Sequence, residues 1–221
     1  MMVTFLNMNL NRLHLFTLSC FIFLVTSNIS VAQEDWTLNS NEDQIKVYLK
    51  DHPTSNIKMY RAVTILPADL QTVYDMIMDG NNLYKWNYNV KESRTLVDLD
   101  SITRVIYLYH KFPWPVKNRY NLSHINTIRY DDGSVRMVIT PDETQDFTCW
   151  DPEAVKMTDY KGYWLLKPTE NGTQVTQELW GDPAGNLPTW AINSRLDGNA
   201  RHTFKEMRIY LNGMLENTDP P

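Results

Sequence analysis

The stretch that decides the fold is GYWLLKPTENGTQVTQELWGDPAGNLPTWAINSRLDGNARHTFKEMRIYL, residues 162–211. It begins with two segments typical of β-strands, residues 163–167 and 174–180. Glu170-Asn171-Gly172 lies between them and has the composition of a tight turn. This part of the chain therefore predicts a β-hairpin.

The second half of the stretch predicts a long amphipathic helix over about residues 187–211, after a Gly- and Pro-containing break. Apolar side chains recur there every three or four positions, and most of the charged side chains lie on other faces. The same spacing suits ordinary core packing and a cavity wall equally well. A curved antiparallel sheet followed by a closing helix is nevertheless one way to enclose an apolar cavity.

The preceding sequence adds several strand segments and one short helix. Pro67 is suited to the first helical turn, and Leu70, Val73 and Ile77 form an apolar face at helical spacing. This order of elements predicts an α+β fold. It consists of a curved antiparallel sheet of about seven to eight strands wrapped on a long C-terminal helix, with one shorter helix after strand 2.

The N-terminal segment has the pattern of a secretory signal peptide over residues 1–32. Arg12 precedes an apolar run at residues 13–25, and Ser30-Val31-Ala32 supplies small residues for cleavage. A membrane anchor is the alternative, but the uninterrupted apolar core is shorter than the roughly 20 residues that span a bilayer. We therefore expect an exported protein, periplasmic or secreted, with one domain at residues 33–215 and a disordered tail at 216–221.

The overall charge disfavours a nucleic-acid-binding function. The chain has 21 Lys and Arg against 26 Asp and Glu, a formal net charge of −5, whereas nucleic-acid binding depends on neutralising phosphates. Cys149 is the one cysteine that remains after the predicted cleavage, so no intramolecular disulfide is expected. No Cys/His spacing indicates a metal site, and neither a metal nor a cofactor is predicted.

Six short motifs in order resemble those of START domains, the lipid-transfer domains related to the steroidogenic acute regulatory protein. START domains belong to the helix-grip superfamily, so the resemblance implies a helix-grip fold. The resemblance covers about residues 36–211. The motifs are Trp36, IKVY at 45–48, Trp86, PWPVKNR at 113–119, GYWLL at 162–166 and DPAGNLPTWAIN at 182–193. One departure is Tyr120, which stands where the family usually has an aspartate after the arginine that follows the Pro-Trp-Pro loop.

The resemblance implies a deep, mostly apolar tunnel that holds one hydrophobic molecule, such as a lipid, a sterol-like compound or a fatty acyl chain. The C-terminal helix and a neighbouring loop would form its lid. The candidates for cavity lining are Arg104, His110, Trp164, Leu166, Glu178, Ile192, Leu196, Ala200 and Met207. The candidates for the lid or for docking on a membrane are Trp114, Leu187 and Trp190, because indole rings favour membrane interfaces.

These features predict a monomer that binds a hydrophobic small molecule without catalysis. The prediction extends to transfer of that molecule. Transient contact with a membrane surface belongs to this prediction. One alternative is a cyclase- or aromatase-type enzyme of the same superfamily, for which Arg104, His110 and His124 are the candidate reactive groups. Another is a module that binds a protein partner. A large dry tunnel favours the first function, a shallow polar cleft the second, and a filled interior with an exposed apolar patch the third.

Overall fold

A computed structural model describes residues 35–100 and 102–216. Within these residues lie ten strands and two α-helices, with a short 3₁₀ helix at Leu83–Lys85. The strands are β1 (Thr37–Glu42), β2 (Ile45–His52), β3 (Ser55–Leu66), β4 (Val90–Asp98), β5 (Thr103–His110), β6 (Arg119–Arg129), β7 (Val135–Pro141), β8 (Val155–Lys156), β9 (Asp159–Thr169) and β10 (Gly172–Asp182). The helices are α1 (Leu70–Met78) and α2 (Thr189–Glu216).

Nine strands form one antiparallel sheet in the order β1-β2-β3-β10-β9-β7-β6-β5-β4, and β8 pairs in parallel with β6. The predicted helix-grip fold is confirmed. The predicted strand count of seven to eight was too low for two reasons. The segment before Ile45 folds as a separate strand paired with β2, and the two residues of β8 also pair with the sheet.

Local signals fix the ends of several elements. Asp69 is the N-cap of α1, because its carboxylate accepts a 3.0 Å hydrogen bond from the Thr72 amide. Gly172 follows the β9–β10 turn with φ 118°, and a Cβ atom there would lie 2.1 Å from the Leu66 carbonyl oxygen. Both the conformation and the space therefore require glycine. Helix α2 begins at Thr189, two residues after the predicted start and next to Pro188.

The main core lies between the inner face of the sheet and the two helices. Its fully buried members include Leu66 and Leu166 from the sheet and Phe204, Met207 and Leu211 from α2. A second, smaller cluster lies on the outer face, around Tyr107 and Leu122. Among the described residues, no helix is both long and apolar enough to cross a membrane. The predicted signal peptide and residues 217–221 of the predicted tail lie outside the described residues.

Candidate functional site: a cavity between the sheet and the C-terminal helix

A cavity of about 700 Å³ lies between the inner face of the sheet and α2. Its walls are mostly apolar, with Ile106 and Leu108 from β5, Trp164 from β9, and Ile192 and Leu196 from α2. The volume falls within the range of roughly 300–1,000 Å³ that is typical of small-molecule sites. The space is large enough for one elongated hydrophobic molecule.

The alternation of side chains along each strand decides which residues face this cavity. On β5, Ile106, Leu108 and His110 line it, while Tyr107 packs into the cluster on the outer face. On β10, Gln177 and Leu179 are on the cavity side. The sheet therefore presents alternate residues of each strand as a continuous wall.

Seven of the nine predicted cavity-lining residues fall into two groups. Four of them line the cavity, His110, Trp164, Ile192 and Leu196, and so does the lid candidate Leu187. Three others, Leu166, Ala200 and Met207, lie in the solid core beside it and are at most 2% exposed. They are on the predicted inner faces, but Phe204 and its neighbours already fill the space around them. A role in ligand binding stays a prediction for all eight residues.

The two charged candidates, Arg104 and Glu178, are engaged elsewhere. The Arg104 guanidinium lies 2.8 Å from Asp98 and donates a 2.6 Å hydrogen bond to the Met78 carbonyl, near the far end of β5. Glu178 accepts a 2.8 Å contact from Arg61 on the face of β10 opposite Gln177 and Leu179. Strand alternation therefore excludes Glu178 from the wall that its two neighbours form, and the Arg61–Glu178 pair lies outside the cavity.

Trp114 and Trp190, the two predicted docking tryptophans, are exposed by 93% and 75%. Trp114 lies in the β5–β6 loop, whose residues Phe112, Pro113 and Val116 line the cavity. Trp190 lies in the first turn of α2, next to Ala191, which also lines it. Both indole rings therefore project into solvent from segments that border the cavity.

Arg119 fastens two of these bordering segments together. Its guanidinium donates hydrogen bonds to the carbonyls of Pro183 (3.1 Å) and Ala184 (3.0 Å), and also to that of Lys117. The same group lies over the Phe112 ring, 5.3 Å from its centroid. Burial lowers the pKa of Arg119 from its ordinary value. The arginine that the sequence motif contains is therefore a structural link between the β5–β6 loop and the segment before α2.

A polar cluster in the cavity wall was not predicted from the sequence, apart from His110. The His110 Nε2 atom lies 2.7 Å from Asn121 Oδ1, and Asn121 Nδ2 donates to Ser123 Oγ at 2.8 Å. The Tyr160 hydroxyl lies 3.2 Å from Ser123 Oγ, and all four residues line the cavity. Burial lowers the pKa of His110, opposed by its hydrogen bond to Asn121. The available signal was the two-residue spacing of Asn121, Ser123 and Ile125, which places all three on one face of β6.

A second polar pair, Tyr60 and Gln177, also lines the cavity. The Tyr60 hydroxyl donates a 2.9 Å hydrogen bond to Gln177 Oε1, and burial raises the pKa of Tyr60 well above its ordinary value. This pair is therefore uncharged at neutral pH. Within residues 35–100 and 102–216, no group of three or more His, Cys, Asp or Glu side chains is arranged to hold a metal ion.

Comparison with known proteins identifies the family of this chain. The START domain family matches residues 24–214. The chain belongs to this family. An uncharacterised protein of Pseudomonas aeruginosa is 30% identical to it over 197 residues, which cover 89% of this chain and 95% of that protein.

Two relatives of this START domain have names that refer to lipids. The crystal structure of a STAR-related lipid transfer protein from Xanthomonas axonopodis superposes with a TM-score of 0.73 at 26% identity, covering 80% of this chain and 98% of that one. The human phosphatidylcholine transfer protein is 20% identical over 194 residues, covering 86% of this chain and 89% of that protein.

Proposed function

We propose that this START domain binds a single hydrophobic, lipid-like molecule in the cavity between the sheet and α2. The observation that carries the proposal is the cavity itself, about 700 Å³ of mostly apolar space. Transfer of apolar ligand surface from water into it supplies roughly 25 cal/mol per Å². The names of the Xanthomonas and human lipid-transfer relatives support the same function.

Mass spectrometry of the intact protein purified from its own host tests this proposal. A bound molecule of lipid-like mass is expected, and its loss on organic extraction should leave a protein that takes up a fatty alcohol.

A matched pair of variants on α2 then assigns the site: Ile192 lines the cavity, whereas Ile209 is 65% exposed. Ile192→Trp fills part of the cavity and should weaken binding at least tenfold, whereas Ile209→Trp should bind as the wild type does. Equal binding by both variants, or a folded wild-type protein that holds no lipid and takes up none, contradicts the proposal.

The polar groups of the cavity favour binding over catalysis. His110, Asn121, Ser123 and Tyr160 hydrogen-bond to one another. Burial lowers the pKa of His110, which makes its imidazole a weaker general base than an ordinary histidine. The proposal therefore includes no chemical step.

We further propose that the domain delivers its ligand at a membrane surface, using Trp114 and Trp190. Three features support this extension. Both rings are exposed, both belong to segments that border the cavity, and Arg119 holds the Trp114 loop against the segment that leads to Trp190. Indole rings partition favourably into the membrane interface. An opening of these two segments at the membrane would connect the cavity with the lipid.

Vesicle binding tests the docking surface with a built-in control. Trp150 is also exposed, by 63%, but it follows Cys149 of the outer-face cluster. The double variant Trp114→Ala, Trp190→Ala should lose most of its sedimentation with phosphatidylcholine vesicles and most of its transfer of a fluorescent lipid between vesicles. Trp150→Ala should retain both activities. Unchanged sedimentation of the double variant rules out this docking surface while leaving ligand binding in the cavity intact.

Export is part of the proposed setting of this function. The apolar run at residues 13–25 and the small residues at 30–32 support cleavage before Gln33. N-terminal sequencing of the protein from the periplasm or medium of its host should then begin at Gln33. An intact N-terminus recovered from the cytoplasm contradicts export.

A further inference from the structure

The hydrogen bonds around His110 have a fixed direction. Asn121 Nδ2 donates to Ser123 Oγ at 2.8 Å and to Tyr160 Oη at 3.3 Å. Its other terminal atom, Oδ1, therefore faces His110 Nε2 at 2.7 Å. An amide oxygen accepts hydrogen bonds and cannot donate them. His110 must therefore carry its proton on Nε2.

The rest of the cluster uses all of its remaining polar hydrogens internally. The Tyr160 hydroxyl donates to the Leu122 carbonyl at 2.6 Å. Its oxygen is therefore the acceptor in the 3.2 Å contact with Ser123 Oγ, and the Ser123 proton points to it. Both hydrogens of the Asn121 amide group are already bound to Ser123 and Tyr160. This chain of hydrogen bonds leaves no donor free for a ligand.

One strong acceptor remains, the Nδ1 atom of His110. Burial keeps the pKa of His110 below its ordinary value of 6.5, so the ring is neutral at neutral pH and Nδ1 bears a lone pair. Nδ1 has no hydrogen-bond partner among the described residues. Nδ1 is not one of the described side-chain atoms that are fully buried without a hydrogen-bond partner. His110 itself lines the cavity. The cavity wall therefore offers an accepting nitrogen that only a donor can satisfy.

We infer that the ligand of this cavity carries a hydroxyl group that donates a hydrogen bond to His110 Nδ1. The inference rests on the proposed function and names the chemical class of the ligand: an uncharged hydrophobic alcohol, such as a sterol, a fatty alcohol or an acylglycerol. An ionised carboxylate or a phosphodiester has only hydrogen-bond acceptors. Beside His110 Nδ1 it would place one acceptor against another.

The charged residues around the cavity favour a ligand whose polar group, beside His110, is uncharged. Arg119 is committed to three backbone carbonyls, and Arg104 is paired with Asp98. Lys58 and Arg195 line the cavity, but Lys58 is 41% exposed and paired with Asp51, and Arg195 is exposed. An anion beside His110 would therefore be buried without a cationic partner, which is costly.

Three ligands built on an unbranched sixteen-carbon skeleton test the inference: hexadecanol, hexadecyl methyl ether and palmitate. Their affinities are measured for the lipid-free wild-type protein by displacement of N-phenylnaphthylamine, a neutral fluorophore. The methyl ether keeps the oxygen of the alcohol but lacks its donor, so the lone pair of His110 stays unsatisfied. We expect the alcohol to bind at least about tenfold more tightly than the ether and than palmitate, because a buried polar group that loses its hydrogen-bond partner is costly.

A matched pair of histidine variants assigns the preference to His110. His110→Phe removes the accepting nitrogen from the cavity wall. His124→Phe is the control: it makes the same change on β6, between Ser123 and Ile125, which both line the cavity. His110→Phe should bind the alcohol and the ether within about twofold of each other, and His124→Phe should keep the wild-type preference. Nitrogen NMR of the wild-type protein should show the Nε2–H tautomer of His110 whether or not the variants fold.

The outcomes separate this inference from the proposed function. If the alcohol, the ether and palmitate bind the wild-type protein equally well, or if His110 carries its proton on Nδ1, the assignment of an alcohol is wrong while lipid binding stands. If none of the three ligands displaces the fluorophore and no lipid co-purifies, the cavity is not a lipid site. Both the proposed function and the assignment of an alcohol are then wrong.

Discussion

Both faces of β5 carry apolar side chains, but the two faces are covered in different ways. On the outer face, the Tyr107 ring centroid lies 4.6 Å from that of Phe147, and the Tyr109 ring lies 5.0 Å from that of Trp150. On the inner face, Ile106 and Leu108 border a cavity of about 700 Å³. Apolar residues therefore determine which surface is covered, while the shape of the covering segment determines whether the space beneath it is filled.

The shapes of the two coverings explain the difference. The outer cover is a loop, which follows the surface and places Phe147 and Cys149 in direct contact with the sheet. The inner cover is the 28-residue helix α2. Its C-terminal half packs tightly through Phe204 and Met207, whereas Ile192 in its N-terminal half lines the cavity. A rigid helix across a curved sheet therefore touches it over only part of its length.

The largest expected effect comes from truncating adjacent residues of β5 that point to opposite faces. Tyr107→Ala removes a fully buried ring from the outer cluster and should lower the free energy of unfolding by about 3–5 kcal/mol. Leu108→Ala enlarges a space that already exists and should cost less than about 2 kcal/mol. Urea denaturation of the lipid-free variants measures both values. Equal losses would mean that the inner face is as tightly packed as the outer one.

An intermediate effect is expected from loosening the inner cover at Arg119. Arg119→Met leaves the Pro183 and Ala184 carbonyls without this donor and should cost about 1–3 kcal/mol. Hydrogen exchange should rise in the segment from Pro183 to the start of α2, and a bound ligand should leave faster. Arg94→Met is the control, since Arg94 is half exposed and pairs with Glu92 on the surface. Unchanged exchange in the Arg119 variant would show that the guanidinium does not hold this segment.

The smallest expected effect is a pH dependence that arises in the inner wall. The pKa of His110 is lower in the folded protein than its ordinary value of 6.5, because burial disfavours the charged ring. The unfolded chain therefore binds a proton at this histidine as the pH falls through about 6.5, while the folded chain does so only at lower pH. The free energy of unfolding should drop further between pH 7 and pH 5 in the wild type than in His110→Gln. Denaturant titrations at both pH values measure the difference, and parallel pH profiles would count against a buried neutral ring.

Sequence patterns predicted much of the fold because burial leaves a periodic trace. The three-and-four spacing of Ile192, Leu196, Ala200 and Met207 correctly predicted one inner stripe of α2. It could not separate Ile192, which borders empty space, from Met207, which is fully packed. Both positions need an apolar side chain whether or not the space opposite is occupied.

The candidate site was harder to predict because it depends on pairs of residues on different strands. Arg104 and His110 occupy the same face of β5, but only His110 lines the cavity, since Arg104 reaches the Met78 carbonyl and Asp98. Asn121 reaches His110 through the pairing of β5 with β6, and Tyr160 of β9 in turn contacts Asn121. A single sequence contains the residue types but not these distances.

The sequence by itself determined the helix-grip architecture, the long closing helix and the family, because side-chain periodicity and short motifs are properties of neighbouring residues. Only the tertiary structure decided that the interior has a cavity, which residues border it and which atom of His110 faces a ligand. The physical reason is that empty space and hydrogen-bond direction both depend on how separate segments meet, and no local pattern records the gap between them.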